Sequence, residues 1–172
     1  MSATYAAPAP ADHAELIAMA RAAFDATFAS HYDPAEFTAW LDATYAPDGP
    51  MAADLADPAI AWRVARLGGR IAGYAKLSPL TAPQPDAAPD AVELRQIYLT
   101  EEAKGRGIAD ALMGWALDIA RAGGAREIYL TVFDHNARAK AFYARHGFAE
   151  TGRCTFTLGS RTDDDRIWGR KL

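Results

Sequence analysis

The sequence predicts a mixed α/β (α+β) fold: a central, mostly antiparallel sheet of about six to seven strands with helices on both faces. Three observations carry this. Ala61–Leu67 and Arg70–Leu77 read as strands meeting at Gly68-Gly69, a strong hairpin turn and hence an antiparallel pair. Ala91–Leu99 and Glu127–Phe133 read as strands separated by a helix, and a strand–helix–strand connection makes them parallel. Two amphipathic segments near the N-terminus add further helices.

In chain order, Thr4–Ala7 suits a short first strand before Pro8 and Pro10. Asp12 with Glu15 makes an acidic version of a capping box, and Ile17, Ala20, Phe24 and Phe28 follow at helical spacing to an end near Ser30. Asp33-Pro34-Ala35-Glu36 repeats the start signal with proline at the first helical position, after which Phe37, Leu41 and Tyr45 line one face. Met51–Ala56 adds a short third helix. Pro79–Pro89, with four prolines, is a loop. After the central strand, Ile108, Leu112, Trp115 and Ile119 form the apolar stripe of a helix stopped by Gly123-Gly124. A helix over Asn136–His146, a strand over Phe148–Leu158 and a last strand near Arg166–Arg170 complete the pattern, with Asp163-Asp164-Asp165 in a solvated turn between the last two strands.

Composition bounds the function. At 172 residues and 51% apolar the chain buries a substantial core and is too short for two ordinary domains, so residues 1–172 are expected to form one. The start has no basic region leading into an apolar run, and no stretch reaches the roughly 18 apolar residues of a membrane span, which points to a cytoplasmic protein. The one cysteine, Cys154, allows no intrachain disulfide and fits core packing in a reducing compartment. A formal charge of −4 argues against nucleic acid as partner. His13, His31, His135 and His146 lack metal-ligand spacing, so no metal is expected; His146 ends a helix before Gly147, where positive charge complements the dipole.

The stretch Leu94–Ala109 joins the central strand to a glycine-rich turn that opens a helix, an arrangement that presents unpaired N–H groups and a positive dipole end to an anion. Lys104-Gly105-Arg106-Gly107-Ile108-Ala109 is therefore a candidate diphosphate cradle, with two glycines for close approach and two cations beside them. A P-loop would need Lys-Ser/Thr after Gly107, and a dinucleotide fingerprint a third glycine where Asp110 stands. The turn instead resembles the Arg/Gln-x-x-Gly-x-Gly/Ala motif of the acetyl-CoA-dependent N-acetyltransferases of the GNAT superfamily, with Lys104 as a conservative departure at its first position. Asn136 to Phe148 is similar to the second signature of that superfamily, Asn-x-x-Ala-x-x-Phe-Tyr-x-x-x-Gly-Phe, at every position.

The resemblance implies the GNAT fold, acetyl-CoA as co-substrate and no metal. It implies that backbone groups of Ile97, Tyr98 and Leu99 pair with the pantetheine arm like another strand, and that the turn from Lys104 through Gly105, Arg106, Gly107, Ile108 and Ala109 holds the diphosphate. Asn136 matches the asparagine that contacts the cofactor arm and also suits an N-cap. Tyr143 matches the tyrosine that returns a proton to the departing sulfur. Glu93 stands where the histone acetyltransferase branch places its general base; the other source of a base is a water chain.

For the acceptor, Phe24–Tyr45 and the run Phe156-Thr157-Leu158-Gly159 before an Asp-rich turn are similar in arrangement to the PaiA-type polyamine N-acetyltransferases. Asp25, Asp33, Glu36 and Asp42 lie in the first of these segments and suit a polycation. A small cationic amine such as spermidine is the expected acceptor. The alternatives are a protein or peptide N-acetyltransferase, with the Pro79–Pro89 loop as rim of a wider groove, and a non-catalytic acyl-CoA-binding regulator. The sequence leaves a homodimer open.

Overall fold

A computed structural model describes residues 2–172. One seven-stranded sheet, in the order β1-β2-β3-β4-β5-β7-β6, organises it. The strands are β1 (Thr4–Ala6), β2 (Ala61–Leu67), β3 (Arg70–Pro79), β4 (Val92–Leu99), β5 (Glu127–Phe133), β6 (Ala149–Leu158) and β7 (Arg161–Lys171). The helices are α1 (His13–Phe28), α2 (Pro34–Thr44), α3 (Pro50–Ala56), α4 (Ile108–Ala122) and α5 (Ala137–Arg145). Every neighbouring pair is antiparallel except β4 and β5, as the crossover rule requires.

Two apolar layers clamp the sheet. On one face Leu94, Ile128, Leu130 and Val132 pack on Ile108, Leu112, Met113 and Ala116 of α4, with Phe142 and Tyr143 of α5 at the margin. On the other, Val64, Ile71 and Tyr74 meet Leu16, Met19 and Phe24 of α1 and Phe37 and Leu41 of α2. The alternation of strand residues thus serves both layers, and helices cover both faces.

Two local expectations need correction and a third holds. Asp12 and Glu15 do not cap α1. The Asp12 carboxylate accepts from Ala9 N (2.9 Å) and pairs with Arg66 (2.6 Å), while Glu15 accepts from Ile71 N (2.7 Å), so both acids tie the start of α1 to the β2–β3 hairpin. The second start signal does act as a cap: Asp33 Oδ1 accepts from Ala35 N and Glu36 N, both at 3.0 Å. The Asp163–Asp165 run lies inside β7 and not in a turn; β7 begins at Arg161 after Gly159. Asp163 takes the Tyr32 hydroxyl (2.5 Å) and Arg161 Nε (2.7 Å), and Asp164 pairs with Arg166 (2.7 Å), which offsets the poor strand propensity of aspartate.

Two irregularities shape the centre. The β3–β4 register steps from Lys76↔Gln96 to Leu77↔Leu94, leaving Arg95 as the extra residue of a bulge. The β4–β5 ladder has only the pairs Val92↔Ile128 and Glu93↔Tyr129. Beyond them β4 follows β3 to Leu99↔Gly73 and β5 follows β7 to Phe133↔Asp165, so the sheet opens as a wedge between its two middle strands.

Tyr129 at the root of that wedge lies across Gly169 of β7, where an added Cβ would fall 2.6 Å from the ring. Gly169→Ala is therefore expected to lower stability by about 1–3 kcal/mol. A thermal melt checks it; an unchanged midpoint would show that the ring yields without loss.

Candidate active site

The wedge leaves β4 with an open edge. In an antiparallel pair alternate residues turn both their N–H and C=O away from the partner, so along Leu94–Leu99 every second residue directs its backbone into the gap. The chain then runs through Thr100 and a short turn to α4. Gly105 (φ +73°) and Gly107 (φ +74°) hold left-handed conformations there that other residues rarely adopt, and a Cβ on either would enter open space. The first α4 bond runs from Ala111 N to Gly107 O, so the N–H groups ahead of it are free for an anion.

Edge and turn face one cavity of about 890 Å³. Ile97, Tyr98, Leu99, Lys104, Gly105, Gly107, Ile108, Ala109, Asn136 and Tyr143 all line it, with Met19, Ala22 and Ala26 of α1 opposite. The structure thus gathers the expected residues from three elements. Arg106 is an exception, because its Nε donates to Glu102 O (2.7 Å) and its side chain does not line the cavity. In its place the cavity is lined by Arg138 and Arg145, seven residues apart and therefore on one side of α5. That basic run was visible in the sequence, but only the helix start shows which of its members face inward.

Glu93, the expected base, also stands outside. It is 5% exposed, and its Oε2 accepts from Thr81 N (2.8 Å), Thr81 Oγ1 (2.7 Å) and Ala82 N (3.0 Å), which fastens the proline-rich loop to the root of the wedge. Ala88 N donates to Glu127 (2.9 Å), so that loop is tied at both ends over Tyr129 and Ile167. It does not line the cavity.

Asn136 Oδ1 accepts from Ala139 N (3.1 Å) and caps α5, while its amide N–H groups have no partner among the described residues. Tyr143 sits half-buried beside Phe142, with ring centroids 5.5 Å apart, and its hydroxyl makes no hydrogen bond to the described residues. Burial pushes that phenol up to about 12, so it stays protonated throughout the neutral range. Asp110 in the first turn of α4 is drawn to His146 (2.9 Å) and Arg145 (3.5 Å).

Of the acids expected to greet a polycation, Asp42 pairs with Arg21 (2.6 Å), Glu36 accepts from Ser160 N (2.8 Å) and Oγ (2.9 Å), and Asp33 caps α2. Only Asp25 is exposed without a partner among the described residues. No three His, Cys, Asp or Glu side chains among the described residues are placed to hold a metal ion, and no helix is long and apolar enough to cross a membrane.

Comparison with known proteins bears on the same features. The profile of the acetyltransferase (GNAT) family matches residues 15–148. An uncharacterized N-acetyltransferase of Mycobacterium bovis is 35% identical over 161 residues, covering 94% of this chain and 98% of that protein. One from Lactobacillus delbrueckii subsp. lactis is 30% identical over 161 residues, covering 94% and 92%. In fold, the chain is similar to the PaiA N-acetyltransferase of Thermoplasma acidophilum solved in complex with coenzyme A, with a TM-score of 0.79, 23% identity and full coverage of both chains.

If the turn before α4 takes a diphosphate, Gly107→Val strains the left-handed backbone and puts a branched side chain where the anion must approach. Acetyl-CoA affinity should fall tenfold or more, about 1.4 kcal/mol, by titration calorimetry. Unchanged affinity in a folded variant would remove the turn from the site.

Proposed function

The chain belongs to the acetyltransferase (GNAT) family and is an acetyl-CoA-dependent N-acetyltransferase; on that premise we propose that it acetylates a small cationic amine, a polyamine such as spermidine, in the cytoplasm, with Tyr143 as proton donor to the departing sulfur. The observation that carries this reading is the convergence of an open strand edge, a glycine-rich helix start and an unengaged phenol on one cavity.

Each part matches a need of the co-substrate. The amides of the pantetheine arm call for a strand-like partner, which Ile97, Tyr98 and Leu99 offer at the edge of β4. The diphosphate calls for N–H donors and cations, offered by Gly107, Ile108 and Ala109 with Lys104, Arg138 and Arg145. The free amide of Asn136 suits a carbonyl of the arm. When bound, acetyl-CoA supplies the activated acyl group. Attack by a neutral amine forms the carbon–nitrogen bond as the carbon–sulfur bond breaks; Tyr143, whose phenol burial keeps protonated and neutral at neutral pH, gives its proton to sulfur, and the proton shed by the nitrogen passes through water to restore the phenol.

Glu93 is assigned to the loop and not to the chemistry, on account of its three donors. Support for a polyamine comes from the PaiA-like arrangement of Phe24–Tyr45 and from the likeness in fold to a PaiA N-acetyltransferase. The loop of residues 79–89, tied down away from the cavity, speaks against its use as the rim of a protein-binding groove.

Tyr143→Phe is expected to lower kcat by about 10²-fold while acetyl-CoA affinity stays nearly intact. Full turnover would make Tyr143 a packing residue. Glu93→Gln should leave the pH profile of kcat/KM unmoved and reduce stability by about 1–2 kcal/mol, because a neutral acceptor replaces a charged one under the loop. A flattened profile in that variant would return Glu93 to the base role. In a coenzyme A release assay spermidine should outperform an amino-terminal peptide, and a peptide preference above tenfold would end the polyamine assignment.

A further inference from the structure

On the α1–α2 side of the wedge, one row crosses three strands: Phe133 of β5 pairs with Asp165 of β7, which pairs with Cys154 of β6. Tyr98 of β4 faces the same side, 6.3 Å from the Phe24 ring by centroid, and Phe133 meets Phe28 at 6.2 Å and His31 at 5.2 Å. Tyr98, Phe133 and Asp165 are all half-buried, and of the three Tyr98 also lines the cavity while Phe133 and Asp165 stand outside its lining.

The acids around this row are sorted by their partners. Asp163 holds Tyr32 and Arg161; Asp164 pairs with Arg166 (2.7 Å), and Asp134 with Lys140 (2.5 Å) and Arg166 (3.0 Å). Asp165 has neither an ion pair nor a hydrogen bond among the described residues. Arg166, its neighbour in sequence, turns to the opposite face of the strand, where Asp134 and Asp164 hold it. Burial first, then the charges of Asp163 and Asp164, push the Asp165 carboxyl up to about 6. At neutral pH the fold therefore carries a charge that destabilises it, that no group of the described residues pairs with directly, and that the Arg166 guanidinium on the opposite face offsets only in part. Such an arrangement is expected where a ligand brings the missing charge.

We propose that Asp165 receives the ammonium group of the acceptor amine, with Tyr98 and Phe133 as the aromatic walls beside it. The assignment rests on the acetyltransferase reading of the wedge and supplies what that reading lacked, a carboxylate facing the acceptor side. It accounts for a preference for cationic amines, since carboxylate and aromatic faces both favour an ammonium ion. It also leaves Asp33, Glu36 and Asp42 to the structural partners already described.

The groups that bear on the charge of Asp165 are Asp163, Asp164 and Arg166 on its own strand, Asp134 after β5, Cys154 on β6, Tyr98 on β4 and Tyr32 before α2. The native carboxyl holds its proton more tightly than an unfolded aspartate, so ionisation destabilises the fold as pH rises from about 4 through 6, and ammonium binding is lost as pH falls through about 6.

Asp165→Asn and Asp165→Glu test this with spermidine and an amino-terminal peptide as acceptors, beside calorimetry with acetyl-CoA and thermal melts. In Asp165→Asn, KM for spermidine should rise about tenfold or more, with kcat lowered far less and acetyl-CoA affinity unchanged. The additional fall of wild-type kcat/KM below about pH 6, beyond the fall that protonation of the attacking amine gives every variant, should vanish in Asp165→Asn and persist in Asp165→Glu. At pH 7 Asp165→Asn should melt about 2 °C or more above wild type, which a residue kept for packing would not do. Unchanged KM with an unchanged pH profile overturns the proposal. A wild-type preference for the peptide, with its KM raised in Asp165→Asn, would keep the role of Asp165 and refute the polyamine assignment. A wild-type enzyme that acetylates neither acceptor overturns both.

Discussion

Where the register pair Glu93 and Tyr129 ends the short ladder between β4 and β5, two strands that share a core on one face stop pairing, and the site follows from that parting. Parallel strands joined through a helix would ordinarily pair along their length. Here the bulge at Arg95 sets β4 to follow β3, while the full-length pairing of β5 with β7 draws its far end away. A backbone with hydrogen-bonding groups turned into a gap is unfavourable unless water or a ligand meets them. The same parting puts the start of α4 and the inner face of α5 at the mouth of the gap, so the glycine-rich turn and Tyr143 are placed by strand geometry rather than by contacts with each other.

Charge is distributed on a related logic. The chain is acidic overall, yet most of its carboxylates are occupied in holding elements together: Asp12 and Glu15 fasten α1 to the hairpin, Glu36 fastens α2 to the β6–β7 turn, and Glu93 and Glu127 fasten the proline-rich loop. Each of these bonds spans distant parts of the chain, and together they stiffen the walls around the wedge. Against that background an unmatched charge is conspicuous, because burial raises the free energy of every carboxylate that lacks a partner.

What was legible in the sequence is what local backbone geometry dictates. Gly105 and Gly107 mark a left-handed turn before a helix, Asp33-Pro34 marks a helix start, and Gly68-Gly69 marks a hairpin; each is settled by residues within a few positions. The second signature was equally plain, since its residues share one helix. What the sequence did not place are mostly side chains whose partners are remote. Glu15 looks like part of a cap until Ile71, 56 residues on, claims it. The Asp163 run reads as a turn until Tyr32, 131 residues away, stabilises it as a strand. Glu93 resembles a base in its strand, but its fate is decided by a loop whose path has no periodicity to read. Arg106 and Arg138 have the same charge, and only the twist of the turn and the phase of α5 decide which of them faces inward.

The open edge of β4 also bears on how long the molecule lasts. A sheet with a missing strand is an incomplete cooperative unit, and its unpaired amides along Leu94–Leu99 are the ones that hydrogen exchange would find least protected. On the proposed mode of binding a pantetheine arm laid along that edge would complete the ladder, so occupancy and folding would be linked equilibria. At a concentration a hundred times the dissociation constant the gain is about 2.7 kcal/mol. The acetyl-CoA concentration would then also set how often the central sheet opens to proteases.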